Sequence, residues 1–342
     1  MIEFLFLPEE RKRLFIDQVN AETTMSVKAI EKDWWVTLVL KALFSLPMAD
    51  HFVFKGGTSL SKGWGLIQRL SEDIDIALSP EAFGKEYKTS PTNSYVKQLK
   101  RDGTAYTSVD ICAVLQNKLQ ELGVPADLFG ISVDLIDPKI PDKDPQALYI
   151  NYPSLYPPNP YIADNVKIEF GVRAKKEPFA DVSIKSVLGT IIIVPSYTEQ
   201  SFLVRAVVPE KTLIEKMLLL HEKFSQNIDE IIIAERQSRH LSDIVQLKRK
   251  GIHETILADP ALFHALILHR RNYVRLKGVD YDQMTLPTLN FVPPPALQKQ
   301  FYEDYQTMQT EMIYGDAPAF DKLLEELKEL NDLLISQGKP QP

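Results

Sequence analysis

The sequence predicts an α+β catalytic domain over residues 1–207, followed by an all-helical domain over 208–342. Three observations carry this expectation. Alternating apolar residues recur in short runs up to Val207, as in Asp73-Ile74-Asp75-Ile76, the period of half-buried strands. From Pro209 onward the runs lengthen and take helical spacing. At 342 residues the chain is long for one hydrophobic core.

Taken in order, residues 8–46 read as two helices. Pro8 suits a first helical position with Glu9 and Glu10 behind it. Residues 52–54 and 73–78 read as strands around a short helix near Leu60. The polar stretch 79–102 reads as a mobile loop or insert, and 104–122 as a helix. Further strands are expected at 131–136, 147–152, 166–172, 191–194 and 202–207. Four prolines within 153–160 exclude regular structure there. Helices are expected at 209–224, about 227–235, 239–249, 253–268, 296–312 and 318–336, with a Pro-rich connection at 278–295.

Composition narrows the class. Apolar residues make up 44% and charged residues 25%, as in ordinary globular proteins. A single cysteine, Cys112, forms neither an internal disulfide nor a thiolate zinc site, which fits a reducing cytosol. The N-terminus MIEFLFLPEERKR lacks the pattern of a signal peptide. The apolar run Val187–Val194 is too short to span a bilayer. The expectation is therefore a cytoplasmic protein with no membrane partner. Net charge is −7, yet Arg236–Lys277 holds nine Lys/Arg and three acids, leaving about −13 elsewhere. That segment reads either as an RNA footprint or as a solvated helical face.

The most informative stretch is FKGGTSLSKGWGLIQRLSEDIDIAL, Phe54–Leu78. Asp73 and Asp75 share one strand face, with Ile74 and Ile76 on the other. Residues i and i+2 of a strand lie about 6–7 Å apart. Two carboxylates so placed suit one or two Mg²⁺ ions held against phosphates. Gly56 and Gly57 follow a strand, and Thr58 or Ser59 is placed to cap the next helix, whose backbone N–H groups then face phosphate oxygens. Lys62 sits one turn into that helix. A phosphate cradle beside an acidic metal clamp points to nucleotidyl transfer. The P-loop spacing, Gly-x-Ser-x-Gly and Asp-Phe-Gly are all absent.

The same residues resemble the AbiEii/AbiGii-type nucleotidyltransferases, the toxins of type IV toxin–antitoxin and abortive-infection systems, within the polymerase-β-like superfamily. Lys55–Leu60 matches the family's Lys-Gly-Gly-Thr-x-Leu, and Ser71–Asp75 its Ser-x-Asp-Ile-Asp. NVKIEFGVRAK (165–175) is similar to a later strand with a third acidic residue, here Glu169. PEKTLIEKMLLLH (209–221) resembles a helix with a Glu-Lys pair, Glu215 and Lys216. RHLSDIVQL (239–247) resembles an Arg-x-x-x-Asp helix, with Asp243. Glu31-Lys32-Asp33-Trp34-Trp35 resembles the helix before the glycine motif. These matches span 31–247, about two-thirds of the chain. Ser59 stands either for the superfamily's Gly-Ser serine or as a cap only.

The resemblance implies a polymerase-β-like mixed sheet with flanking helices, with the nucleotide between that domain and the helical one. Asp73, Asp75 and Glu169 would hold Mg²⁺, with Mn²⁺ as the alternative, and Glu169 is also a candidate base. Gly56, Gly57, Thr58, Ser59 and Lys62 would meet an NTP's phosphates. Lys216, oriented by Asp243, would clamp the triphosphate; Arg173 is a secondary candidate. Implied partners are an NTP, tRNA or another RNA, and an antitoxin. Rival readings are transfer to a protein or small-molecule hydroxyl, and a catalytically silent nucleotide-binding protein.

Overall fold

The structure, a computed structural model, describes residues 1–135, 143–159, 161–226 and 236–337. The chain divides into two compact units, Met1–Gly63 with Leu70–Val207, and Trp64–Arg69 with Val208–Pro342. The expected boundary at 207/208 thus acquires an exception: six residues following the glycine motif belong with the second unit. The reason is local. The carbonyl of Gln68 accepts from the backbone N–H groups of Tyr314 and Gly315, both at 3.2 Å, and Arg69 reaches Asp243.

The first unit is built on a seven-stranded mixed sheet. Its strands are β1 (Phe52–Lys55), β2 (Ile74–Leu78), β3 (Gly130–Val133), β4 (Gln146–Asn151), β5 (Asn165–Gly171), β6 (Phe179–Ile184) and β7 (Phe202–Val207), in the order β3-β4-β5-β2-β1-β7-β6. Pairs β2/β5 and β1/β7 are parallel and the others antiparallel. Ile74, Ile76, Phe52, Phe54, Ile168 and Phe170 are all buried, and Phe52 meets Phe170 edge-on at 5.7 Å.

Helices α1 (Glu3–Phe6), α2 (Glu9–Thr23) and α3 (Val27–Leu43) precede β1. Ser26 caps α3, its hydroxyl accepting from Ala29 N–H at 3.3 Å. Nearly every residue of α3 is buried, including Lys28, Glu31, Lys32 and Asp33. Buried charges persist only when paired, and each of these four has a partner. Lys28 pairs with Asp164, Lys32 with Glu72 and Lys62 with Asp33, while Glu31 accepts from Ser154 and from Leu155 N–H.

Between β1 and β2 runs a short helical stretch, α4 (Gly56–Thr58), which widens over Ser59–Gly63. The stretch 79–102, expected as a mobile loop or insert, is helical from Asn93 onward. A tight turn at Pro80–Phe83 leads to α5 (Asn93–Tyr106), which runs on through 107–111 into α6 (Cys112–Glu121). The apolar run at 191–194, expected as a strand, is entered by the helix α7 (Val187–Ile191), because Ser186 caps it by accepting from Gly189 N–H at 2.8 Å. Strand β6 was not expected, since Pro178 precedes it and only Val182 and Ile184 are buried.

In the second unit the described helices are α8 (Pro209–Phe224), α9 (Ser238–Arg249), α10 (Ile252–Ala258), α11 (Ala261–Tyr273), α12 (Pro295–Glu311) and α13 (Phe320–Gln337). The expected helix at 253–268 is two helices, separated around Asp259-Pro260. The one expected at 227–235 lies outside the described residues. Among the described residues no helix is long and apolar enough to cross a membrane.

Candidate active site

Register across the sheet brings three charged residues into one row. Lys55 of β1 is opposite Asp75 of β2, and Asp75 is opposite Glu169 of β5. Neighbouring strands lie about 4.8 Å apart, and paired residues project to the same face. Asp73 immediately precedes β2, on the same face two residues back. Asp73, Asp75 and Glu169 are all partly exposed, while Ile74 and Ile76, which alternate with the aspartates, are fully buried. The alternation read in the sequence is therefore the alternation between core and site.

Gly56 is the closest neighbour of that row. Its φ is +78°, a region glycine adopts without strain. A Cβ added there would lie 2.1 Å from Asp75 Oδ2. The Asp75 carboxylate thus rests against bare backbone, and glycine is required twice over. We expect Gly56→Ala to displace Asp75 and reduce transfer activity at least 10²-fold, with a stability loss of about 1–3 kcal/mol from the strained φ. Transfer assays beside thermal melts check this; normal activity would show that Asp75 need not rest on Gly56.

The hydroxyls of the glycine motif face inward. Thr58 Oγ1 donates to the Asp73 carbonyl and lies 2.8 Å from Ser71 Oγ; Ser59 Oγ donates to the Gly56 carbonyl at 2.9 Å. Both side chains are fully buried. Thr58 fixes the approach to β2, and Ser59 fixes the turn, so neither hydroxyl is turned towards a phosphate. Lys62 likewise departs from the expected phosphate contact. Its ammonium is buried against Asp33 Oδ1 at 2.5 Å, and Asp33 Oδ2 accepts from Val187 N–H at 2.8 Å. Gly56 and Gly57, by contrast, are only half-buried.

Glu169 forms an ion pair with Lys167, two residues back on the same face, at 2.7 Å. Burial pulls the Lys167 pKa down, but the bond to Glu169 and the field of Asp73 outweigh it and raise the value. Lys167 thus supplies the positive charge among these acids. Among the described residues no three His, Cys, Asp or Glu side chains are gathered in a ready metal cage. The donor set is nonetheless hard oxygen on one face, with no His or Cys in the row, which fits Mg²⁺ better than zinc.

Lys32 was read only as part of the helix before the glycine motif, with no role of its own. It pairs with Glu72 at 3.2 Å and donates to the carbonyls of Ala163 and Asn165, the latter at the start of β5. One ammonium therefore ties the approach to Asp73 to the strand carrying Glu169. We expect Lys32→Met to break this buried ion pair and to cost about 3–5 kcal/mol. Adding Glu72→Gln should restore part of that loss in urea unfolding.

The second unit holds a separate charged cluster. Asp243 of α9 accepts from Arg69 Nε at 2.8 Å and Nη2 at 2.7 Å, and pairs with Lys216 Nζ of α8 at 2.8 Å. His240 Nδ1 lies 3.5 Å from the same ammonium. Burial works against the charged form of Asp243, but Arg69 and Lys216 hold its carboxyl far below the usual range. Burial lowers Lys216 and keeps His240 uncharged. Arg69 was missed by sequence reading, because nothing in Leu66–Leu70 marks an arginine that will meet a carboxylate 174 residues away.

The basic excess of Arg236–Lys277 is largely met by acids from outside it. Lys248 pairs with Glu329, Arg249 with Asp316 and Glu326, Arg270 with Glu222, and Arg271 with Asp282. The sequence-local charge is therefore not a comparable surface charge, which removes the main argument for an RNA footprint there. Arg173 is bound to Asp144 at 2.7 Å.

Comparison with protein families decides the class. The family described as nucleotidyl transferase AbiEii toxin, type IV toxin–antitoxin system, matches residues 38–326. The chain belongs to the AbiEii family. No curated protein and no solved structure matched it. Membership makes the chain a nucleotidyltransferase toxin of a type IV toxin–antitoxin system, and implies a nucleotide substrate and a cognate antitoxin. The matched span contains the glycine turn, Asp73, Asp75, Glu169, Lys216 and Asp243, so the AbiEii family region includes both charged clusters.

Proposed function

We propose that this AbiEii-family chain is a Mg²⁺-dependent enzyme that transfers a nucleotide from an NTP to a tRNA hydroxyl in the cytoplasm, releasing pyrophosphate, and so acts as an abortive-infection toxin. The seven-stranded unit is read as a polymerase-β-like catalytic domain, and residues 208–342 as a helical domain. The observation carrying the proposal is the Asp75–Glu169 row with Asp73 beside it, set against the bare backbone of Gly56.

Asp73, Asp75 and Glu169 would hold the ion, with Mn²⁺ as a substitute. When bound, it supplies positive charge to the phosphates. The chain's own residues do the rest. Gly56 and Gly57 let a phosphate approach main-chain N–H groups. Lys167 keeps the acids together by neutralising part of their charge. In its alternative role Glu169, freed from Lys167 and not on the ion, takes the acceptor hydroxyl's proton on a carboxylate oxygen. Lys216, oriented by Asp243, is read as a phosphate-binding cation. Arg69 and Lys216 share the Asp243 carboxylate, and Arg239 adds its field at Lys216 and His240, a net positive cluster suited to a triphosphate. The assignment of tRNA rests on the family resemblance alone.

The test is incubation with each labelled NTP, Mg²⁺ and total RNA, followed by separation of RNA from protein. Label in tRNA is the expected result. Label only in protein would move the acceptor to a protein hydroxyl, and no transfer with any NTP would overturn the proposal.

A further inference from the structure

Tyr149 of β4 is not used by the catalytic reading, yet the sheet register sets it beside the acids. It is opposite Lys167 of β5, two residues along from Ala147 opposite Glu169. Paired residues project to one face, so Tyr149 shares the face of Lys167 and Glu169. As a diagonal neighbour it lies about 7–8 Å from Glu169. The same face continues outward, with Tyr149 opposite Ser132 of β3 and Asn151 opposite Asn165 of β5. Leu148 and Ile150, which alternate with Tyr149, are fully buried on the other face.

This strip is open to a ligand. Ser132 and Asn151 are exposed, and Tyr149, Asn165 and Lys167 are half-buried. Asn151 Nδ2 donates to Ser132 Oγ at 3.0 Å, which ties β4 to β3 here. Tyr152, three residues on, stacks on Trp35 at 4.6 Å, and both rings are buried. Tyr149 differs: among the described residues no aromatic ring packs on it. A half-open ring in an otherwise polar strip fits a flat ligand ring with polar edges, which is what a nucleobase presents. An apolar partner fits less well, because burying the amides of Asn151 and Asn165 against it costs hydrogen bonds.

The side of the acids on which the strip lies decides whose base it takes. In the proposed function the leaving phosphates sit at Gly56 and Gly57, which follow β1. The sheet order β4-β5-β2-β1 puts Tyr149 on the other side of the acids. Attacking and leaving oxygens stand roughly in line across the transferred phosphorus. The acceptor therefore comes from the β4 side. We propose that Tyr149 stacks the base of an RNA's end nucleotide there, and so holds that nucleotide's hydroxyl at the Glu169 end of the acid row. A chain end is where an unstacked base and a free hydroxyl coincide. The inference rests on the proposed function for the position of the leaving phosphates.

The experiment uses the full chain with Mg²⁺ and no NTP. It follows the anisotropy of a labelled single-stranded RNA of about 10 nucleotides, with either an intact or an abasic 3′-end nucleotide. On the wild type, removing that base should weaken binding about 5–150-fold, the range of one lost base stack. Tyr149→Ala should bind the intact RNA as weakly as the wild type binds the abasic one, and should lose nothing further on the abasic RNA. Tyr149→Phe keeps the ring and should match the wild type. Tyr149→Val, β-branched as strands favour, repeats the test should Tyr149→Ala unfold. A wild type indifferent to the end base would overturn the proposal without any variant. So would an equal base effect in wild type and Tyr149→Ala, or a wild type that binds no RNA. A Tyr149→Ala chain that instead loses affinity for an NTP blocked between its α- and β-phosphates would give the ring to the donor, and would also overturn it. NTP binding by the wild type tests the catalytic reading separately. Normal NTP binding without an end-base effect removes Tyr149 alone, and no NTP binding removes the proposed function.

Discussion

Asp73→Asn and Asp75→Asn are each expected to reduce nucleotide transfer by at least 10²–10³-fold, the scale of removing one preorganised charge-stabilising group. Both changes keep the side-chain shape and remove one negative charge. Both residues are partly exposed, so stability should stay within about 1 kcal/mol of wild type. Asp75 should be the more sensitive of the two, since its carboxylate is seated on Gly56 and lies between Lys55 and Glu169. Glu169→Gln provides the contrast: it releases Lys167 while leaving both aspartates in place, so it should change the pH dependence of transfer as well as its rate. The measurements are initial rates over a range of Mg²⁺ concentrations, with melting curves alongside. Near-wild-type rates in both aspartate variants would remove the β2 face from the chemistry.

Much of this face was legible in the sequence because it obeys a simple period. Asp73-Ile74-Asp75-Ile76 alternates, the isoleucines are buried and the aspartates are not. The glycine turn was legible too, although the reason for Gly56, the Asp75 carboxylate lying over it, needed the fold. What the sequence concealed were the long-range partners of buried charges. Lys28, Glu31, Lys32 and Asp33 lie within the first two turns of α3. They are buried because their partners come from residues 62, 72 and 154–165. Lys62, read as a phosphate ligand, is likewise paired with Asp33. The cations of 236–277 read as either an RNA footprint or a solvated face, and the acids that meet several of them lie at 222, 282, 316, 326 and 329. Periodicity reports which face is buried and carries no information about which charges meet.

The largest stability effect is expected at Asp243. Its carboxylate is the shared partner of Arg69 and Lys216, and all three side chains are buried. Asp243→Asn would leave two buried cations facing one another, and breaking a buried pair in this way costs about 3–5 kcal/mol. Lys216→Met removes one cation and leaves the Arg69–Asp243 bond, so it should cost less. The double variant should be less unstable than the two single losses added together, because the sites are coupled. The pH dependence separates the ion cluster from general packing. Asp243 titrates in the folded state far below its unfolded value of about 3.9. Its stabilising contribution is therefore complete above that value and is lost as pH falls towards the folded pKa. The gap between wild type and Asp243→Asn should hold steady from pH 8 to about 5 and narrow only below about 4. His240, kept neutral by burial and by Lys216, gives both proteins a separate loss as pH falls below about 6.5, where the unfolded imidazole takes up a proton. Urea unfolding at several pH values measures all of this. A gap under 1 kcal/mol at pH 7 would mean that the Arg69–Asp243–Lys216 cluster does not hold this unit together. Lys216→Met would then be judged on transfer rate alone: a 10²–10³-fold fall at normal stability is the signature of a phosphate-binding cation.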